Sequence, residues 1–198
     1  MPEIDEMSVE RVINDIITFN EGLRSFWTNA DGWAPIEVSH ILSKSRLDWQ
    51  VSLSRCLKIW IPELHSENNN GQLILAWTNL GSLVEGTMKL YLSIWYHDYI
   101  QDIEAIKTKG NLVSPDNLQM VQMRQFFRKS IWMVGDPDWD SWILKIQQRR
   151  NAVHAYKNRD IGNFEEFFID VRRYREFLRY INNRLPFPDD EIYKPREF

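Results

Sequence analysis

Apolar residues return at three- and four-residue steps along nearly the whole chain, and no segment alternates as a half-buried strand does. The pattern predicts an all-α fold: a single domain built as an antiparallel bundle of about six helices. Ser8 is placed to cap a first helix reaching about Thr28, with Val12, Ile13, Ile16, Ile17, Leu23 and Phe26 on its stripe. Asn29-Ala30-Asp31-Gly32 stops it. A second helix is expected from Pro35 through Ile41, Leu42, Trp49, Leu53, Leu57 and Trp60 until Pro62 forbids continuation. After the Asn-rich stretch Glu63 to Gly71, a third and long helix spans about Gln72 to Ile106. It carries Leu73, Leu75, Trp77, Leu80, Leu83, Met88, Leu92 and Tyr96, with Gly81 and Gly86 as points of close packing.

Lys107 to Val113 breaks the pattern, and Ser114-Pro115 reads as cap and first position of a fourth helix through Met120, Met123, Phe126, Phe127 and Ile131. Gly135-Asp136-Pro137-Asp138 ends it. A fifth helix, capped by Asp138 or Asp140, sets Trp139, Trp142, Ile143, Ile146 and Val153 on one stripe. Asn163 and Glu166 have the spacing of a capping box for a sixth, whose Phe164, Phe167, Phe168, Val171, Tyr174, Leu178, Ile181 and Leu185 form the cleanest stripe. Pro186 and Pro188 close it, leaving residues 184–198 as a short tail.

Composition bounds the class. With 198 residues, 43% hydrophobic and nine Trp, the chain has enough apolar side chain for a sizeable core, which excludes disorder. Its one cysteine, Cys56 between Leu53 and Leu57, is expected as a buried inert thiol. The acidic start is not a signal peptide and no stretch reaches the ~20 apolar residues of a membrane span. A cytoplasmic location is therefore expected. Net charge is −4, but residues 1–120 carry 9 basic against 16 acidic groups, residues 121–184 carry 13 against 8, and the tail 2 against 4. The sums of −7, +5 and −2 leave a local basic surface that suits a phosphate chain, or else ordinary solvated helix faces.

Within the fifth helix, Gln147-Gln148-Arg149-Arg150-Asn151-Ala152-Val153-His154-Ala155-Tyr156 places polar groups where the apolar stripe should continue. At ~100° per residue Arg150 falls on that stripe with His154 about 40° away, while Arg149 and Tyr156 share its opposite edge. Arginine binds phosphate oxygens bidentately and stabilises the charge that grows on them, and histidine moves a proton near neutral pH. One histidine is too few for both acid and base, so a ribonuclease built on this cluster predicts a homodimer. The alternative is structural: Arg149 and Arg150 pair with carboxylates such as Asp136, Glu165 or Glu166, and His154 sits at a helix end that favours cations.

The spacing Arg149-x4-His154 resembles that of the HEPN (higher eukaryotes and prokaryotes nucleotide-binding) domains, small helical bundles marked by Arg, four to six residues, then His. Tyr156 matches the Tyr found two residues after the His in one toxin branch. The resemblance implies a metal-independent endoribonuclease, a toxin or defence effector, acting as a homodimer with Arg149 and His154 catalytic. It also implies a partner nucleotidyltransferase antitoxin that modifies the residue at Tyr156. In the family a polar residue such as Asn directly follows the Arg, whereas here Asn151 follows Arg150, so family spacing favours Arg149 and helical geometry favours Arg150. The expected site is Arg149, Arg150 and His154, with Asn151, Tyr156 and Lys157 holding RNA and no cofactor or metal. His97-Asp98, His40, and His65 with Glu63 and Glu67 lack a repeated metal-ligand spacing. No Gly-rich phosphate loop or Gly-flanked serine supports a nucleotide hydrolase or an esterase. Trp95, Trp132 and Trp142 are expected in the core or an interface rather than stacked on bases.

Overall fold

The most apolar stretch of the chain becomes the helix on which the others pack. The computed structural model describes residues 7–29, 34–61 and 69–187. In order these form α1 (Val9–Trp27), α2 (Ile36–Lys44), α3 (Leu47–Cys56) with a 3₁₀ turn (Leu57–Trp60), α4 (Asn70–Ile94) and α5 (Tyr96–Gln101). There follow a two-stranded hairpin, β1 (Lys107–Thr108) and β2 (Asn111–Leu112), a 3₁₀ turn (Pro115–Asn117), α6 (Met120–Phe126) and a π-helical turn (Phe127–Ile131). The chain then runs through α7 (Trp139–Arg150), a 3₁₀ turn (Asn151–His154) and α8 (Phe164–Asn182). The fold is all-α. α4 buries well over half of its circumference, from Asn79 and Leu83 round through Leu80, Val84 and Trp77 to Gly81, and lies against α2, α3, α6, α7 and α8. A stripe through Leu75, Thr78, Ser82, Glu85 and Lys89 is partly open to solvent, and neighbouring helices must enclose the rest.

Helix ends follow the local chemistry of the sequence. The Ser8 hydroxyl accepts from the Arg11 amide at 3.3 Å, the Asp138 carboxylate from Ser141 at 3.0 Å, and the Asn163 side chain from Glu166 at 2.9 Å. The last is half a capping box, because the Glu166 carboxylate turns instead to Arg149.

Among the described residues there are eight α-helices rather than about six. The expected second helix divides at Ser45-Arg46: Ser45 is extended, its amide donates to the Ile41 and Leu42 carbonyls, and Leu47 starts a new helix. The expected third helix ends at Ile94, where Trp95 leaves helical geometry and its indole N–H donates to the Arg184 carbonyl at 3.0 Å. That long-range bond takes the side chain to α8 and redirects the chain into α5. Ser114-Pro115 opens only a single 3₁₀ turn, and α6 starts later, at Met120, with the Gln119 amide donating to the Gln122 side chain. The breaker Lys107 to Val113 folds as the hairpin, pairing Lys107 with Leu112. Lys109 and Gly110 both take positive φ, as a two-residue hairpin turn requires. Pro62, Glu63 to Asn68, Ala30 to Trp33 and Pro188 to Phe198 lie outside the described residues. The segment after α8 is tied to the core, since Leu185 is buried and Phe187 packs on Phe26 and Trp27. Cys56 is half-exposed rather than buried.

Tyr174 joins three helices. Its hydroxyl is fully buried, 3.1 Å from Thr87 Oγ1 on α4 and 3.4 Å from the Gln50 amide nitrogen on α3. Burial pushes its ionisation up to about 12, so it remains a neutral hydrogen-bonding group. Tyr174→Phe should lower stability by about 1–2 kcal/mol in urea unfolding, with unchanged helix content by circular dichroism.

Candidate functional site

The buried face of α7, made by Trp139, Trp142, Ile143 and Ile146, carries forward onto Arg149 and Arg150. Both arginines therefore enter the protein rather than solvent. Arg149 is only 5% exposed. Its guanidinium carbon lies 4.7 Å from the centroid of the Trp77 ring, and its Nη2 bonds the Glu166 carboxylate and sits 3.6 Å from Asp160. Nη1 is buried with no hydrogen-bond partner among the described residues. Gly162 makes this arrangement fit: it has φ +61°, and a Cβ there would stand 2.7 Å from Arg149 Nη2 and 2.6 Å from Glu166 Oε2.

Arg150 leaves the other flank of α7 and crosses α4. A Cβ on Gly81 would come within 2.7 Å of Arg150 Cδ, so the glycine admits the arginine stem. Gly81 and Gly86 are both close-packing points, the second facing the Gln50 side chain. The Arg150 side chain is 30% exposed, and its Nη1 bonds the Glu85 carboxylate 3.9 Å from the Met120 sulfur. The second oxygen of Glu85 is 3.2 Å from Lys89 Nζ, so one carboxylate serves two cations.

Beyond Arg150 the chain tightens into the 3₁₀ turn and then takes a left-handed residue, Ala155, at φ 43°. At ~120° per residue the four steps from Arg150 to His154 end roughly 120° away rather than 40°. The expectation that Arg150 and His154 share a face is thereby corrected, and so is the pairing of Arg149 with Tyr156 on one edge. His154, Tyr156 and Lys157 are exposed, and no side-chain partner for any of them occurs among the described residues. Asn151 is half-buried.

Other expectations resolve as follows. Glu166 is the partner of Arg149, whereas Asp136 serves Arg184 and Tyr180. Glu85 was missed, although the one acid of a largely apolar helix, one turn after Gly81, is a signal for a cation arriving there. The basic excess of residues 121–184 is met in part from outside the segment, by Glu104, Asp15 and Glu85, and its other pairs are internal. Arg124 pairs with Asp140, Lys129 with Glu104, Lys145 with Asp170 and Arg175 with Asp15. Among the described residues no group of three or more His, Cys, Asp or Glu is placed to hold a metal, and no helix is long and apolar enough to cross a membrane. His97 lies 3.5 Å from Glu37, and His65, Glu63 and Glu67 fall outside the described residues. Trp142 is buried and Trp95 and Trp132 are half-buried, so the tryptophans named above are packing residues. No family model, curated protein or solved structure matches the chain.

Beneath the cluster, Asp170 on α8 accepts from Lys145 at 2.7 Å and Trp142 at 3.1 Å through Oδ1, while Oδ2 is buried without a partner among the described residues. Burial raises its ionisation above the ordinary carboxylate range against the opposing pull of Lys145, Trp142 and Arg149. The folded state therefore holds this proton more tightly than the unfolded state, whose carboxyl titrates near ~3.9, and stability falls as pH rises through that window. Asp170→Asn lacks this dependence. Its stability relative to the native chain should improve as pH rises from about 4, read by urea unfolding at a series of pH values.

The Arg149 pair is asymmetric, since Glu166 can turn to solvent and Arg149 cannot. Glu166→Ala should cost roughly 2 kcal/mol by leaving a buried guanidinium, and Arg149→Met, which keeps the stem on Trp77, should cost less. The reverse order in chemical unfolding would contradict the assignment.

Proposed function

We propose that the chain is a metal-independent endoribonuclease of the HEPN type, a toxin or defence effector that acts as a two-fold dimer. The observation that carries the reading is the helix-end arrangement of Arg149-x4-His154-x-Tyr156. The arginines anchor its base in the core, while the 3₁₀ turn and Ala155 hold His154 and Tyr156 out in solvent, with no side-chain partner among the described residues. Arg150 is the arginine that a phosphate reaches, being the more exposed of the two, and Arg149 is a positioning residue that fixes the start of the turn. Asn151 and Lys157 flank the bound strand. In the reaction the ribose 2'-oxygen bonds to phosphorus as its proton passes to one His154. The bond from phosphorus to the 5'-oxygen breaks as the same histidine of a second copy supplies that oxygen with a proton. The products are a 2',3'-cyclic phosphate and a 5'-hydroxyl. Tyr156, fully exposed, is accessible to a modifying nucleotidyltransferase antitoxin.

A specific observation favours a second reading, a non-catalytic helical module for a nucleotide, RNA or protein partner. Each guanidinium already has a carboxylate, Glu166 or Glu85, and a carboxylate beside a phosphate repels it. Cleavage of an RNA panel in EDTA by the purified protein separates the two. Under the nuclease reading His154→Ala and Arg150→Ala each lose activity by at least a hundredfold with folding intact, and the fragments carry cyclic phosphate ends. Binding without cleavage by the native protein establishes the module instead.

A further inference from the structure

A second concave region lies away from the helix-end cluster, where α2, the Ser45-Arg46 break and α3 meet α4 and the turn after β2. It is a cavity of about 480 Å³, within the ~300–1,000 Å³ range of small-ligand sites. Its apolar lining comes from Ile41, Leu42, Leu47, Leu90 and Tyr96, with His40 and the hydroxyls of Ser45, Ser93 and Ser114 among the polar groups that also line it. Leu42 and Leu90 belong to the core, so this wall is preformed. The floor is closed by Gln50, whose amide nitrogen donates to the Leu83 carbonyl at 2.8 Å. Gly86 permits that closure, because a Cβ there would fall 2.2 Å from Gln50 Oε1.

The mouth carries the charge. Lys44, Arg46 and Lys89 line it together with Glu37 and Asp116. Arg46 is spent on Asp48, in a two-point pair at 2.8 and 2.6 Å, and Glu37 is next to His97 at 3.5 Å. Lys44 has no carboxylate partner among the described residues. Lys89 holds the Asp116 carbonyl at 3.1 Å, and its only carboxylate, Glu85, is shared with Arg150. The cavity thus joins an apolar lining to two under-neutralised ammonium groups, set against the one unpaired lining carboxylate among the described residues, that of Asp116, a combination that favours a single-chain organic anion over a cationic molecule.

We propose that this cavity binds an aliphatic carboxylate, with the chain against Ile41, Leu42, Leu47 and Leu90 and the carboxylate between Lys44 and Lys89. The inference does not need the ribonuclease reading: it meets the helix-end cluster only through Glu85, which Lys89 and Arg150 share, and involves no cleavage chemistry.

Isothermal titration of the full chain with decanoate tests it, with decanol as the uncharged counterpart. The expected result is one site per chain, with decanol weaker by about fivefold or more, the worth of a partly exposed ion pair. Ile41→Trp, which fills the cavity from a half-exposed wall position, should abolish binding. Lys44→Met, at an exposed position outside the core, should reduce decanoate affinity severalfold and leave decanol unchanged. Absence of decanoate binding at millimolar concentration overturns the proposal. So does equal affinity for decanol, or binding indifferent to both substitutions while circular dichroism shows each variant folded.

Discussion

The enclosure of α4 is the constraint on which the rest of the structure depends. A helix whose broad apolar face carries Trp77, Leu80, Leu83, Val84 and Met88 is stable in water only when other helices cover that face. α3, α7 and α8 supply that cover, and the polar groups that meet α4 are held by specific bonds: Gln50 to the Leu83 carbonyl, Tyr174 to Thr87, and the Trp60 indole to Asn79 at 2.9 Å. Each such group would cost free energy if buried without its partner, so these bonds fix the register of the packing as well as its existence.

Two glycines on α4 decide what can approach it. Gly81 admits the stem of Arg150 and Gly86 admits Gln50, and neither contact survives the addition of a methyl group without movement. One consequence is that α7 carries its cations inward. A guanidinium entering a core requires a carboxylate, and Glu85 and Glu166 are the two that answer. Glu85 does more than neutralise Arg150, because its second oxygen reaches Lys89 at the mouth of the α2–α4 cavity. The helix-end cluster and the cavity are thus connected through a single side chain.

The polar segment at the end of α7 has a dual character for the same reason. Its first half is fastened by ion pairs and by Trp77, and its second half is turned out by the 3₁₀ turn and the left-handed Ala155. Arginines that fix a backbone and a histidine that faces solvent are adjacent in sequence but perform different physical tasks. The resemblance of this segment to HEPN domains rests on spacing along the chain, whereas the tasks depend on which carboxylates lie nearby.

Local rules sufficed for much of the molecule. The apolar period of 3.6 determined that the fold is all-α, and side-chain capping chemistry determined the starts of α1, α7 and α8 at Ser8, Asp138 and Asn163. Both signals act over one or two helical turns, which is why they are legible in the sequence alone. The bend at Trp95 and the inward course of Arg150 involve partners far away in the chain, the Arg184 carbonyl and Glu85. The α2–α4 cavity is likewise a property of how helices distant in sequence meet. The residues of the helix-end cluster were therefore readable from spacing, but which of them faces solvent was decided by tertiary packing, since exposure depends on neighbours that periodicity does not encode.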